Sequence, residues 1–65
     1  MKVEVVYCRN HKGAAEFTQP RVVPVPGDAQ TWADADNHDR IRKVLARHAP
    51  ENDVWSVAHY SLVRT

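Results

Sequence analysis

One segment, residues 34 to 49, has a sustained helical period, and it constrains the fold more than any other stretch of this 65-residue chain. Side chains recur there at steps of three and four residues, so a helix places them on one face. This face consists of Ile41, Val44, Leu45 and His48. A neighbouring stripe is basic and consists of Arg40, Lys43 and Arg47. The rest of the chain has the pattern of strands and turns, so a sheet must supply the second layer, which predicts an α+β fold.

The sequence indicates the C-terminal end of this helix more clearly than the N-terminal end. Three residues are candidate N-caps because their side chains can accept a hydrogen bond from the first turn: Thr31, Asp34 and Asp36. At the other end, Arg47 and His48 suit the negative end of the helix dipole, and Pro50 cannot continue the helix. The C-terminus is therefore better defined than the start.

The length predicts one domain, residues 1–65, of modest stability, because a chain this short buries only about 60% of its unfolded surface. Cys8 is the single cysteine, so an internal disulfide is impossible and a reducing, cytoplasmic setting is expected. No apolar stretch approaches the roughly 20 residues that span a bilayer, so we expect no membrane partner. The formal charge is +1, so attraction to nucleic acid would require local clusters of basic residues.

The first strand is predicted at residues 2–8, where polar and apolar side chains alternate. We expect Val3, Val5 and Tyr7 to face the helix, and Val6 and Cys8 to face away from it. Residues 9–15 then predict a hairpin loop, because they include residues that readily adopt a positive φ angle.

The second strand is predicted at residues 16–25. Pro20 and Pro24 cannot donate to a sheet ladder on both sides, so this strand belongs at an edge and is expected to kink near Pro20. Simple alternation places four side chains on one face of it: Phe17, Arg21, Val23 and Val25.

The final strand is predicted at residues 54–64, after a turn at residues 51–53. Alternation places Trp55 and Tyr60 on opposite faces, so one should lie in the core and the other outside it. An antiparallel hairpin followed by a right-handed crossover through the helix brings the final strand beside the first. The predicted architecture is β-β-α-β, a three-stranded antiparallel or mixed sheet of order 2-1-3 with one helix packed on one face.

The sheet face opposite the helix would have no cover from the chain itself, which is typical of an interaction surface. The final strand lacks proline and would form a free edge, a second route to association. We therefore predict a small binding or regulatory protein that forms a homodimer or binds an unidentified protein partner. The predicted interface residues include the Tyr, Trp and Arg side chains that commonly anchor interfaces. They are Val6, Cys8, Trp55, Tyr60 and Arg64.

A nucleic-acid-binding module is the alternative. The basic helix stripe and the hairpin tip supply cations that can contact phosphates. These residues are Arg9, Lys12, Arg40, Lys43 and Arg47. Against this, Asp36 and Asp39 stand four residues before Arg40 and Lys43, so ion pairs within the helix can neutralise part of the stripe.

Cys8 suggests two chemical hypotheses, and the sequence favours neither. Cys8 and His11 have the spacing of a zinc-ligand pair, but a structural zinc site needs four ligands and no second pair is evident. Cys8 and a histidine base would be a minimal nucleophilic site, yet no nucleophile elbow accompanies them and a chain this short has little room for a substrate cavity. The prediction is a non-enzymatic protein without a metal or other cofactor.

Overall fold

The computed structural model describes residues 1–51 and 54–64, so residues 52 and 53 of the predicted turn lie outside the described chain. The elements are β1 (Lys2–His11), β2 (Ala14–Phe17), β3 (Arg21–Pro24), a 3₁₀ turn (Ala29–Thr31), α1 (Ala35–Arg47) and β4 (Ser56–Leu62). Within the described ranges, no helix has the length and hydrophobicity needed to cross a membrane. The chain has an α+β fold, and the predicted second strand is present as two short strands, β2 and β3.

β1 is the central strand, and it pairs antiparallel with each of the others. β3 pairs with the first half of β1 and β2 with the second half, while β4 pairs with the opposite edge of β1. The predicted order 2-1-3 of the three predicted strands is thus confirmed, with β2 and β3 together as the second predicted strand and β4 as the third. The predicted kink near Pro20 is also present and separates β2 from β3. Proline cannot donate to a ladder, which explains why this interrupted strand lies at an edge.

A two-residue turn connects β1 to β2. Lys12 and Gly13 both have positive φ angles, 53° and 80°, as a type I′ turn requires. The predicted loop at residues 9–15 was too long, because Asn10 and its neighbours continue the strand and pair with β2. The right-handed twist of a primed turn matches that of two paired strands, so the ladder can extend to the turn itself.

The core lies between the sheet and α1. As predicted, Val3, Val5 and Tyr7 are fully buried on the face of β1 that contacts the helix. The other core side chains come from both sides of this layer and are Val23, Val25, Ile41 and Leu45.

α1 begins after Asp34, whose carboxylate accepts a hydrogen bond from the Asp36 amide at 3.1 Å, so Asp34 is the N-cap among the three candidates. The inclusion of His48 in the apolar face was wrong, because His48 is exposed and forms the C-cap. The pattern instead missed Asn37, which is buried one turn before Ile41. Its amide donates to the carbonyl of Pro26 and to the Thr31 hydroxyl, both at 3.3 Å.

Two irregularities lie opposite the same point of β1, one on each neighbouring edge. On the β4 side, Val6 pairs with His59 and Tyr7 with Val57, so Ala58 is an extra residue. On the other side, Val5 pairs with Arg21 and Cys8 with Phe17. The three residues 18–20 therefore lie opposite only two residues of β1, 6 and 7. Each extra residue makes a bulge, which changes the face on which later side chains lie.

The bulges overturn two predictions that rested on uninterrupted alternation. Phe17 pairs with Cys8 and therefore lies on the face away from the helix, whereas Val23 and Val25 lie in the core. Trp55 and Tyr60 do not lie on opposite faces, because the extra Ala58 stands between them. Both pack against the core on the helix side.

Tyr7 links the centre of the sheet to the helix, and we expect it to make the free energy of unfolding depend on pH. Its buried hydroxyl donates to the Leu45 carbonyl at 2.5 Å. Burial raises the pKa of Tyr7 above its ordinary value of 10.0, and the Arg21 guanidinium opposes this by lowering it. Because the folded pKa exceeds the unfolded one, Tyr7 contributes stability below about pH 10 that is lost as the pH rises through the folded pKa.

We expect Tyr7→Phe to cost about 1 kcal/mol at neutral pH, since one buried hydrogen bond is lost. The variant should also lose less stability than the wild type between neutral pH and about pH 11. Urea unfolding at the two pH values measures both effects. An alkaline loss of equal size in both proteins would show that Tyr7 is not the titrating group.

Candidate functional site

In the described part of the chain, no layer covers the face of the sheet opposite α1. We call it the uncovered sheet face. It consists of Lys2, Glu4, Val6 and Cys8 from β1, Phe17 and Val22 from the proline-containing edge, and Ser56, His59 and Ser61 from β4. These positions follow from the register, because residues directly paired in an antiparallel ladder lie on the same face.

Exposed apolar side chains are concentrated on this side of the molecule. Phe17 is 63% exposed and Val22 is 57% exposed, and both lie on the uncovered sheet face. Val54 is 48% exposed and lines a groove of about 360 Å³ with Cys8 and Ser56 at one end of the same face. Large apolar side chains gathered on one face mark an interaction surface more often than scattered ones do.

The centre of the face is less accessible than its edges. Val6 is only 9% exposed although α1 packs on the other face; it pairs with His59 on one side, and residues 18–20, between β2 and β3, lie on the other side. Cys8 is a half-buried free thiol. The register places Val6 and Cys8 on the face away from the helix, as the alternation of β1 predicts.

The charges on this face are balanced. Lys2 and Glu4 project from the same strand, two residues apart, and both are exposed. These two opposite charges cancel, so the side chains of β1 give this face no net charge.

The remaining predicted interface residues lie elsewhere. Trp55 and Tyr60 are half-buried on the helix side, and Arg64 is exposed in a groove that also includes Lys2 and Leu62. Of the five predicted residues, the structure brings only Val6 and Cys8 together on the uncovered sheet face. Phe17 was missed there because the extra residue between it and Arg21 has no strong sequence signal, whereas Val22 could have been found from its alternation with the buried Val23.

Arg9 is held within the fold. Its guanidinium contacts Glu16 at 2.9 Å and Glu51 at 3.6 Å, and its Cζ lies 4.6 Å from the ring centroid of Trp55. Two carboxylates and an aromatic ring satisfy this cation, so it is poorly placed to contact a phosphate.

The basic helix stripe is exposed. Arg40, Lys43 and Arg47 form no ion pair with any residue in the described ranges. The predicted pairs with Asp36 and Asp39 are absent; Asp39 instead contacts Arg42 at 3.6 Å. Lys12 is exposed in the hairpin turn. The stripe therefore presents its full charge to solvent, without the contribution predicted from Arg9.

A cluster of three rings joins α1 to β4. Trp32 lies 4.9 Å from His38 and 5.9 Å from Tyr60, measured between ring centroids. The Nε2 atom of His38 contacts the Trp32 carbonyl, which can only accept, so Nε2 carries hydrogen. Nδ1 of a neutral His38 then accepts from the Tyr60 hydroxyl at 2.9 Å. This cluster, which sequence reasoning missed, fixes β4 against the helix.

Cys8 and His11 are not arranged as a ligand pair. β1 extends through His11, and an odd spacing along a strand directs the two side chains to opposite faces. Among residues 1–51 and 54–64, no three His, Cys, Asp or Glu side chains come close enough to hold a metal ion.

Comparison of the chain with protein families, curated proteins and solved structures finds no match.

Proposed function

We propose that this protein is a small homodimeric binding protein whose two copies pack through their uncovered sheet faces. One observation carries the proposal: Phe17, Val22 and Val54, the exposed large apolar side chains of the described chain, lie on this single side. Burial of apolar surface drives most protein association.

The dimensions of the molecule support a missing layer. Its accessible surface is 4754 Å², against about 4200 Å² for a compact protein of 7.4 kDa. Its radius of gyration is 12.3 Å, against about 10.7 Å for a compact domain of this length. The excess surface is of the order of what one partner buries in a modest interface, about 800 Å² or less.

In the proposed dimer two sheets stack, with a helix on each outer side. The facing residues include the apolar Phe17 and Val22. Lys2 of one copy can pair with Glu4 of the other, so no charge need be buried without a partner. The dimer rim would offer a protein partner a rigid surface, which suits a regulatory or adaptor role. We place this function in the reducing cytoplasm, where Cys8 stays a thiol inside the interface.

Phe17→Asp should convert the dimer to a monomer. Burying a carboxylate among apolar side chains costs several kcal/mol, so the dimer Kd should rise by at least about 30-fold. Light scattering over a wide concentration series measures the mass of each species. Ala33→Asp is the matched control, because Ala33 is exposed in the turn before α1, away from the sheet. A wild-type protein that remains monomeric throughout, or a Phe17→Asp variant that dimerises like the control, would contradict the proposal.

The second candidate function is binding of nucleic acid, and the exposed basic helix stripe favours it. Cations without local partners can displace counterions from phosphates, so binding through Arg40, Lys43 and Arg47 would weaken steeply between about 50 and 200 mM salt. Fluorescence anisotropy with a labelled oligothymidine at both salt concentrations tests this. Dimerisation through an apolar face should be nearly insensitive to the same change.

A further inference from the structure

The outer edge of β4 carries backbone groups that the sheet leaves unused. The Val63 amide donates to the Lys2 carbonyl at 3.0 Å, which sets the alternation of the ladder between β1 and β4. Successive residues of an antiparallel strand direct their amide and carbonyl groups to alternate edges. Tyr60 and Leu62 therefore direct theirs away from β1, and the described chain has no strand on that side.

A groove of about 450 Å³ lies along this edge, between β4 and α1. Its lining consists of Arg42 from α1 and of Val57, Ala58, His59 and Tyr60 from β4. Arg42 is the residue of the lining that carries a permanent charge, and its carboxylate contact within residues 1–51 and 54–64, with Asp39, is long at 3.6 Å and solvent-exposed. Such a pair is weak and leaves guanidinium donors available.

We propose that this edge binds an extended acidic peptide segment of a partner protein, which adds a strand beside β4 and places a carboxylate against Arg42. The backbone of the peptide would pair with Tyr60 and Leu62, and Arg42 would select for acidic side chains, as in other cases of strand addition. This goes beyond homodimerisation, because strand addition uses the outer backbone edge of β4, whereas the dimer uses the uncovered sheet face; His59 is the groove residue that the two surfaces share.

A second copy of the chain is a poorer occupant of the same edge. β4 itself, Ser56–Leu62, contains no acidic side chain, so antiparallel pairing of β4 with β4 would give Arg42 no carboxylate from the added strand. An acidic segment supplies one. The bulge at Ala58 confines regular pairing to the last part of β4, so the peptide should bind weakly and exchange quickly.

The probe is the soluble peptide acetyl-GTVEVTG-amide, titrated into isotope-labelled protein and followed by NMR. We expect the largest amide shifts at Tyr60 and Leu62. Arg42→Glu should weaken binding at least tenfold, as should replacing the peptide's glutamate by lysine. Asp39→Asn should strengthen binding about twofold, because it removes the competing carboxylate. Arg40→Glu is the matched control, since it makes the same change of charge on the outer helix stripe, and it should change binding less than twofold.

Methylating the backbone nitrogens of the peptide separates strand addition from simple charge attraction, since a methylated strand cannot donate. Unchanged binding by this peptide, equal losses in Arg42→Glu and Arg40→Glu, or shifts centred on Val6 and Cys8 would each overturn the proposal. The Phe17→Asp monomer should bind the peptide like the wild type. If the wild type does not dimerise but binds the peptide, the proposed function fails and this inference holds. If the wild type dimerises but does not bind the peptide, this inference fails and the proposed dimer holds.

Discussion

Leu45→Ala should remove about 3 kcal/mol of stability and lower the melting temperature by about 10 to 25 °C. Leu45 is fully buried and belongs to the cluster that joins α1 to the sheet. α1 is the one α-helix of the described ranges, so no second helix there can move in to fill the cavity. A domain of 65 residues has a total stability of roughly 3 to 10 kcal/mol, so a large share of it would be lost.

Leu45→Met is the matched control, because a swap that conserves volume usually costs less than about 1.5 kcal/mol. Both variants should be melted at one protein concentration, since dimerisation would make stability depend on concentration. If Leu45→Ala and Leu45→Met melt together, the packing of α1 on the sheet contributes little to stability.

The architecture could be predicted because its signals extend over many residues. The alternation along β1 and the helical period of α1 each repeat several times, so a single exception does not hide them. The prolines independently indicated an edge strand, and the connections then left few possible topologies. Asn37 escaped notice because a pattern of apolar residues does not include a polar side chain that is buried by its hydrogen bonds.

The site could not be predicted to the same depth, because one extra residue reverses every assignment beyond it. The inner and outer faces of β1 were correct because β1 itself is regular. Phe17 and Trp55 were misassigned because each is separated by a bulge from the residues used to set its face. The role of Arg9 was equally hidden, since Glu16, Glu51 and Trp55 come to it from three separate segments.

Deleting one residue from β4 should change the stability of the fold little at Ala58 and strongly at Ser56. Ala58 is the extra residue of the bulge, so its deletion lets Val57 and His59 keep their partners on β1 in a regular ladder. We expect this variant to stay within about 1 kcal/mol of the wild type, because the side chains keep their faces. Ser56 is paired with Cys8, and its deletion would move Trp55 onto the uncovered sheet face.

Deleting Ser56 should therefore cost about 2 to 3 kcal/mol, the value of the apolar area that a half-buried tryptophan loses. Trp55 would also leave the Arg9 guanidinium, so its fluorescence should shift towards that of a solvent-exposed indole, measured with Trp32→Phe in both proteins. Both deletions shorten the chain equally, so each controls for the other. Equal losses of stability would mean that the twist introduced by the bulge, rather than the face on which Trp55 lies, is what the fold requires at this position.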